Sequence, residues 1–220
     1  MRLRSAAERR STSFSSPLRY SDDIDLVQVA SAPIGDLMRT LRGRLDSILG
    51  ASAFERSPIS HTAVYRFPSE ISPTQPLRLK IKINTREHFS VLGYRQRPFR
   101  VASPWFSGDA EIVTYQPDEL CATKLRALYQ RSKGRDLFDL ATALERGIVD
   151  PEAVVRCCVE YLKMGGHRIT KRQFVANLNA KIRRPAFRKD TAPLLPPGVA
   201  YDPDAAFERV MGGLIDRWPT

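Results

Sequence analysis

Apolar positions along residues 18–50 change period once. Residues 24–30 alternate, with Ile24 and Leu26 on one side of the chain and Asp23 and Asp25 on the other, which predicts a short strand. After Ser31-Ala32-Pro33-Ile34-Gly35 come Leu37, Leu41, Leu45 and Ile48 at helical spacing, stopping at Gly50. That spacing predicts an amphipathic helix of about four turns. Residues 62–67 and 77–84 are then rich in alternating and β-branched positions, separated by Pro68, Pro73 and Pro76. They predict two neighbouring antiparallel strands with a loose connection. Residues 99–102 and 111–115 are strand-like as well.

The period changes again after Pro117. Asp118 is placed to cap a helix carrying Leu120, Lys124, Leu125 and Leu128, and after the Ser132-Lys133-Gly134 break Leu137, Phe138, Leu140, Ala141 and Leu144 mark a second helix, ended by Gly147. Further helices are predicted over 151–164, 171–182 and 204–218, with a proline-rich link at 193–197. Strands followed by helices give an α+β fold. The expected division is a flexible basic arm over 1–17, a mixed sheet with flanking helices over 18–116, and a helical region over 117–220. A groove between the two halves is the expected place for a site.

Charge narrows the partners. The chain carries a formal +11, with arginine far more frequent than lysine, and such a balance favours a polyanion. Cys121, Cys157 and Cys158 provide neither a disulfide framework nor zinc spacing, and His61, His88 and His167 are too scattered to form a ligand set. The basic N-terminus lacks an apolar signal core and no 18-residue apolar run occurs, so the expectation is a soluble, cytoplasmic protein without a membrane partner.

Three stretches carry chemistry. Asp23 and Asp25 project to one face of a strand, roughly 6–7 Å apart, and such a pair calls for solvent or a cation between the carboxylates. Mg²⁺ is commonly held by one or two carboxylates plus substrate phosphates. In the second stretch, residues 79–87, Leu79, Ile81 and Ile83 make a buried face, so Lys80, Lys82 and Asn84 share the other. The third runs from Glu119 through Lys124 to Arg131, Arg135, Asp136 and Asp139, where Arg135 and Asp139 are spaced as a helical ion pair.

Taken in this order, the three stretches resemble the AbiEii/AbiGii toxin family of nucleotidyltransferases, proteins of bacterial abortive-infection and type IV toxin–antitoxin systems. Arg19-Tyr20-Ser21-Asp22-Asp23-Ile24-Asp25 is similar to the family's first acidic motif, and residues 79–87 to its second, which ends in Asn-Thr-Arg-Glu. Residues 119–127 with Lys133-Gly134-Arg135-Asp136-Leu137-Phe138-Asp139-Leu140 resemble its third, the most specific match, and Tyr201-Asp202-Pro203-Asp204 fits family endings. The resemblance implies a nucleotidyltransferase-like fold and transfer of a nucleotide from a nucleoside triphosphate to an acceptor, which for some relatives is the 3′ end of tRNA. It also implies a cognate antitoxin, and Mg²⁺ held by Asp23 and Asp25. Lys124 would meet nucleotide phosphate, Asp136 and Asp139 would orient the basic groups or the acceptor, and Ser21, Lys80 and Arg86 would line the nucleotide groove.

The chain departs from the family pattern twice. The family places a Gly-Gly-Ser/Thr turn ten to fifteen residues before the aspartate pair, whereas here the first glycine is Gly35. The N-terminus therefore reads either as truncated or mis-framed, or as carrying a decayed phosphate loop. Lys82 stands where an acidic residue is usual; it is expected to pair with Asp23 and Asp25 as an internal counter-ion and to weaken Mg²⁺ binding. Both departures predict impaired transfer. They keep open a second reading, a catalytically silent RNA- or antitoxin-binding protein that retains the fold.

Overall fold

The structure, a computed structural model, describes residues 3–5, 19–21, 23–70, 72–102 and 107–219. The chain gathers into two compact units. Ser21–Ser90 and Tyr94–Tyr115 belong with the N-terminal strand to a sheet unit, while Leu18–Tyr20, Val91–Gly93 and Gln116–Thr220 make up a helical unit.

The sheet unit has strands β1 (Leu3–Ser5), β2 (Asp23–Gln28), β3 (Ala53–Arg56), β4 (Ser60–Pro68), β5 (Pro76–Asn84), β6 (Tyr94–Ala102) and β7 (Ser107–Tyr115), in the order β3-β4-β5-β2-β1-β7-β6. One helix, α1 (Gly35–Leu49), follows β2. The expected antiparallel pair is β4–β5, in register from Ser60 opposite Asn84 to Pro68 opposite Pro76. β2 lies parallel to β5 on the other side. The expected arm gives way at Leu3–Ser5, which form a strand antiparallel to β2 and parallel to β7. The rest of the arm, residues 6–17, lies outside the described residues.

Alternation along these strands builds a core against α1 on one face, while Val27 and Val64 are buried on the other. Ile24 and Leu26 of β2, Ile81 and Ile83 of β5, and Ala63 and Tyr65 of β4 pack with Met38, Leu37, Leu41 and Leu45 of α1. Burying each large aliphatic side chain contributes about 1.5–3 kcal/mol. The apolar stripe of α1 closes on Leu49, not on Ile48 as the spacing suggested; Ile48 is 75% exposed. Tyr65 Oη donates to Asp46 Oδ1 at 3.0 Å, tying α1 to β4. β6 starts well before the predicted 99–102, and β7 before 111–115. Three arginines and Pro98 hide the first of these from strand propensity, and the proline is tolerated because β6 is a sheet edge.

Among the described residues the other unit has the α-helices α2 (Pro117–Gln130), α3 (Gly134–Glu145), α4 (Pro151–Met164), α5 (Lys171–Ile182), α6 (Pro185–Lys189) and α7 (Pro203–Gly213). Leu125, Leu128, Leu137, Val154, Leu178 and Val210 are among its fully buried residues. Asp118 does not cap α2, which begins one residue earlier at Pro117; its Oδ1 accepts from the backbone N–H of Asp150 at 2.7 Å. Asp150 in turn caps α4 through Glu152 N–H, and Thr170 with Gln173 forms a capping box on α5. The predicted helix over 204–218 ends at Gly213 and is followed by a 3₁₀ turn, Ile215–Arg217. All three cysteines are free and buried, and burial pushes the Cys157 thiol up to about 11 and Cys158 further, so neither is a ready nucleophile.

Candidate functional site

Strand register decides which polar residues of the sheet unit share a face. In the parallel β2–β5 pair, Asp23 lies opposite Lys80 and Asp25 opposite Lys82. Paired residues of adjacent strands point the same way, so all four face away from α1. The antiparallel β4 extends the second row with Thr62, and β3 extends it to Glu55. Sequence reasoning misses Glu55 as a member of this face, because residues 53–56 are too short to show a strand pattern of their own. Strands about 4.8 Å apart put it three strands, roughly 14 Å, from Asp25, too far to share one metal ion.

Lys82 therefore sits beside Asp25, as its anticipated role requires, but the counter-ion contact itself is not made. Among the described residues neither Lys80 nor Lys82 comes within ion-pairing distance of Asp23 or Asp25. Lys82 points into solvent, Lys80 is half-buried, and Asp25 is exposed. Asp23 Oδ1 is buried without a hydrogen-bond donor. A buried, unpaired carboxylate oxygen is costly to leave as it is. Two aspartates on one face with one orphaned oxygen suit Mg²⁺ completed by phosphate oxygens and water. They do not make an all-protein cage, and no group of three or more His, Cys, Asp or Glu among the described residues does so either.

β5 ends in a turn that its own asparagine builds. Asn84 Oδ1 accepts from the N–H groups of Arg86 and Glu87 at 2.9 and 3.1 Å, and Asn84 Nδ2 donates to Glu87 Oε2. Arg86, exposed, donates from Nε to the Pro58 carbonyl at 3.0 Å. Ser21, also exposed, lies two residues ahead of β2.

In the helical unit the third stretch forms a charge cluster around Asp139. Arg19 grips both carboxylate oxygens, Nε to Oδ1 and Nη2 to Oδ2, each at 2.7 Å, and Lys124 Nζ donates to Oδ2 at 2.6 Å. Burial would raise the Asp139 pKa, but Lys124 and Arg19 together outweigh it and hold the carboxyl below its usual range. Two cations on one carboxylate leave this trio with a net positive charge. Lys124 keeps a third of its side-chain surface exposed, against 16% for Arg19, so it is the member able to meet an anion. The i, i+4 pair expected between Arg135 and Asp139 does not form. Arg135 turns to Asp190, at 3.9 Å, because Asp139 is already taken.

Asp136, three residues from Asp139, is 1% exposed and held bidentately by Arg131 at 2.7 and 2.8 Å. Gly134 between them is required by packing: a Cβ there would lie 2.0 Å from the Phe187 carbonyl oxygen. Asp190 meanwhile accepts from Arg135 N–H at the start of α3. Glu119, the first residue of the stretch, is fully buried and accepts from Val91 N–H, Leu92 N–H and Tyr161 Oη at 2.7, 3.0 and 2.7 Å. Its position inside α2 gives no signal of that anchoring role.

Several comparisons bear on this arrangement. The profile described as nucleotidyl transferase AbiEii toxin, type IV toxin–antitoxin system, matches residues 14–211. The fold is similar to that of MenT4, a nucleotidyltransferase toxin of Mycobacterium tuberculosis H37Rv, at 19% identity and a TM-score of 0.63 over 99% of this chain and 74% of that one. It is also similar to JHP933 from Helicobacter pylori, at 18% identity and a TM-score of 0.50 over 90% of this chain and 76% of that one. No curated protein is similar enough in sequence to match. With the match spanning all three stretches, the chain belongs to the AbiEii nucleotidyltransferase toxin family of type IV toxin–antitoxin systems.

Proposed function

We propose that the protein transfers a nucleotide from a nucleoside triphosphate to an RNA acceptor, the 3′ end of tRNA being the acceptor of choice. The observation that carries this reading is the β2–β5 register, which gathers Asp23, Asp25 and two lysines on the face opposite α1 while leaving Asp23 Oδ1 without a donor. Asp23 and Asp25 would hold Mg²⁺, which when bound supplies charge neutralisation to the triphosphate. Lys80 and Arg86 would hold the nucleotide by its phosphates, with Ser21 as a hydroxyl donor ahead of β2. Lys124 would carry positive charge to a phosphate oxygen, and Asp139, neutralised by Arg19, would orient Lys124 without cancelling it. Asp136 supports the same helix through Arg131. A cognate antitoxin is the expected protein partner.

Lys82 supports a tempered version of this reading. A free ammonium beside Asp25 lowers local affinity for a divalent cation by repulsion even without contact. The remaining alternative, a silent binding protein, rests on the +11 charge and on the absence of any glycine ahead of Gly35. Incorporation of labelled nucleotide into total tRNA tests both. We expect Mg²⁺-dependent incorporation that is low in the wild type, lost in Asp23→Ala and raised in Lys82→Glu; no incorporation by either the wild type or Lys82→Glu would leave the binding reading standing.

A further inference from the structure

Between Glu160 and Asp190 the chain runs 29 residues with nine Lys or Arg and no Asp or Glu, so this stretch supplies +9 where the whole protein nets +11. Charge runs are commonly neutralised by neighbours, and part of this one is. Lys163 pairs with Glu160, Lys171 with Asp216 and Arg188 with Asp204, while Lys181 is buried and donates to the carbonyls of Leu128 and Tyr129 at the end of α2. Arg168, Arg172, Arg183, Arg184 and Lys189 are all exposed, and among the described residues none has an acidic partner. Several other basic residues of the helical unit are paired with carboxylates, Arg131 with Asp136 and Arg209 with Glu145 for example.

Helix geometry aligns the free cations. Phe174, Leu178 and Lys181 form the buried stripe of α5, at i, i+4 and i+7. At 100° per residue Arg172, Ala176, Asn179 and Arg183 fall on the opposite side within about 60° of one another, and Arg172 and Arg183 stand roughly 16 Å apart along the axis. Alanine and asparagine between them leave a low surface flanked by guanidinium groups, and two more exposed cations follow in sequence, Arg184 at the start of α6 and Lys189 at its end.

We propose that the outer face of α5 with α6 is a docking surface for the phosphate backbone of RNA, distinct from the residues assigned to the transfer chemistry. Guanidinium groups offer bidentate donation to phosphate, and their neutralisation of it releases counter-ions. A protein partner fits poorly, because protein interfaces need buried apolar anchors. No large hydrophobic side chain is exposed among residues 168–189; those that are exposed, such as Tyr20, Phe54 and Leu92, lie elsewhere.

The inference rests on the proposed RNA acceptor, and the test separates the two. RNA affinity is measured by fluorescence anisotropy on total tRNA across a salt series. It is compared for the wild type, for Arg172→Gln/Arg183→Gln/Arg184→Gln/Lys189→Gln, and for a control of equal charge change in the sheet unit, Arg39→Gln/Arg42→Gln/Arg44→Gln/Arg56→Gln. The first variant is expected to bind roughly tenfold or more weakly, with a salt slope shallower by about 0.7–0.9 for each phosphate no longer neutralised, while the control changes little. Wild-type affinity and slope in the first variant would overturn the docking surface and leave the RNA reading intact, and so would equal losses in both variants. Absence of RNA binding by the wild type would overturn both. Loss of binding to polyglutamate with RNA affinity unchanged would assign the face to an acidic protein instead.

Discussion

The motif carboxylates of the helical unit and the aspartate pair of β2 are treated in opposite ways. In the helical unit each motif carboxylate is satisfied: Asp139 by Arg19 and Lys124, Asp136 by Arg131, Glu119 by two backbone N–H groups and Tyr161. In the sheet unit Asp23 and Asp25 have lysines in register beside them, yet no ion pair forms and one oxygen of Asp23 is buried without a donor. A satisfied carboxylate contributes to stability and fixes its partners in place. An unsatisfied one costs stability and is ready for an external cation. The contrast separates residues that hold the structure from the two to which the proposed function gives a metal ion.

Replacement of Asp139 should disturb this contrast most strongly. Asp139→Asn leaves Arg19 and Lys124 facing each other without their counter-charge, and we expect a loss of about 3 kcal/mol in denaturant unfolding. Asp25→Asn, at an exposed and unpaired position, should change stability by less than about 0.5 kcal/mol while impairing transfer. The pH dependence follows the same logic. Asp139 titrates lower in the folded than in the unfolded chain, so its contribution is complete at neutral pH and lost as pH falls through its depressed folded pKa. Asp139→Asn should flatten that acid limb of the stability curve.

Glycines of the two units differ in the same direction. Gly134→Ala drives a methyl group into the Phe187 carbonyl and should cost about 2–3 kcal/mol. Gly43, in the middle of α1, has nothing within 4 Å of the position a methyl group would take, and Gly43→Ala should stabilise the chain by about 0.5–1 kcal/mol. Thermal or chemical unfolding of the two variants checks the signs, which must be opposite.

Much of this division is legible in the chain. The helical periodicity of residues 118–144, the α1 stripe and the alternation of β2 and β5 each follow from burial of a single face, which sequence records directly. The polar face of the sheet is legible within each strand. Its assembly is not, because register between β2 and β5 depends on pairing across more than fifty residues. That is why Lys82 can be placed next to Asp25 in expectation while its side chain in fact turns to solvent. Arg19 stands in the sequence only as one member of a motif, since its partner lies 120 residues away. Neither its spacing nor its neighbours announce Asp139. The α6 turn and its approach to Gly134 are hidden for the same reason.

Smaller effects refine the contrast between the units. Lys82→Glu should tighten Mg²⁺ binding roughly tenfold, about 1.4 kcal/mol, by exchanging repulsion for a third carboxylate near Asp25. Lys181 provides the smallest and most specific signal. Burial first, and then Arg184, lower its pKa from 10.5 to about 8. Between those values the unfolded chain binds the extra proton, so stability rises as pH increases through that window. Lys181→Met should abolish that rise, as read from denaturant midpoints across the same pH range.

Everything proposed for the sheet unit turns on whether the unpartnered Asp23 and Asp25 pair serves a metal-bound nucleotide. Calorimetric titration of the wild type and of Asp23→Asn/Asp25→Asn with nucleoside triphosphate, with and without Mg²⁺, addresses that question without relying on the acceptor. We predict a Mg²⁺-dependent binding signal in the wild type that disappears in the double variant while its unfolding midpoint holds. Binding that is independent of Mg²⁺, or equal in the two proteins, would contradict the assignment.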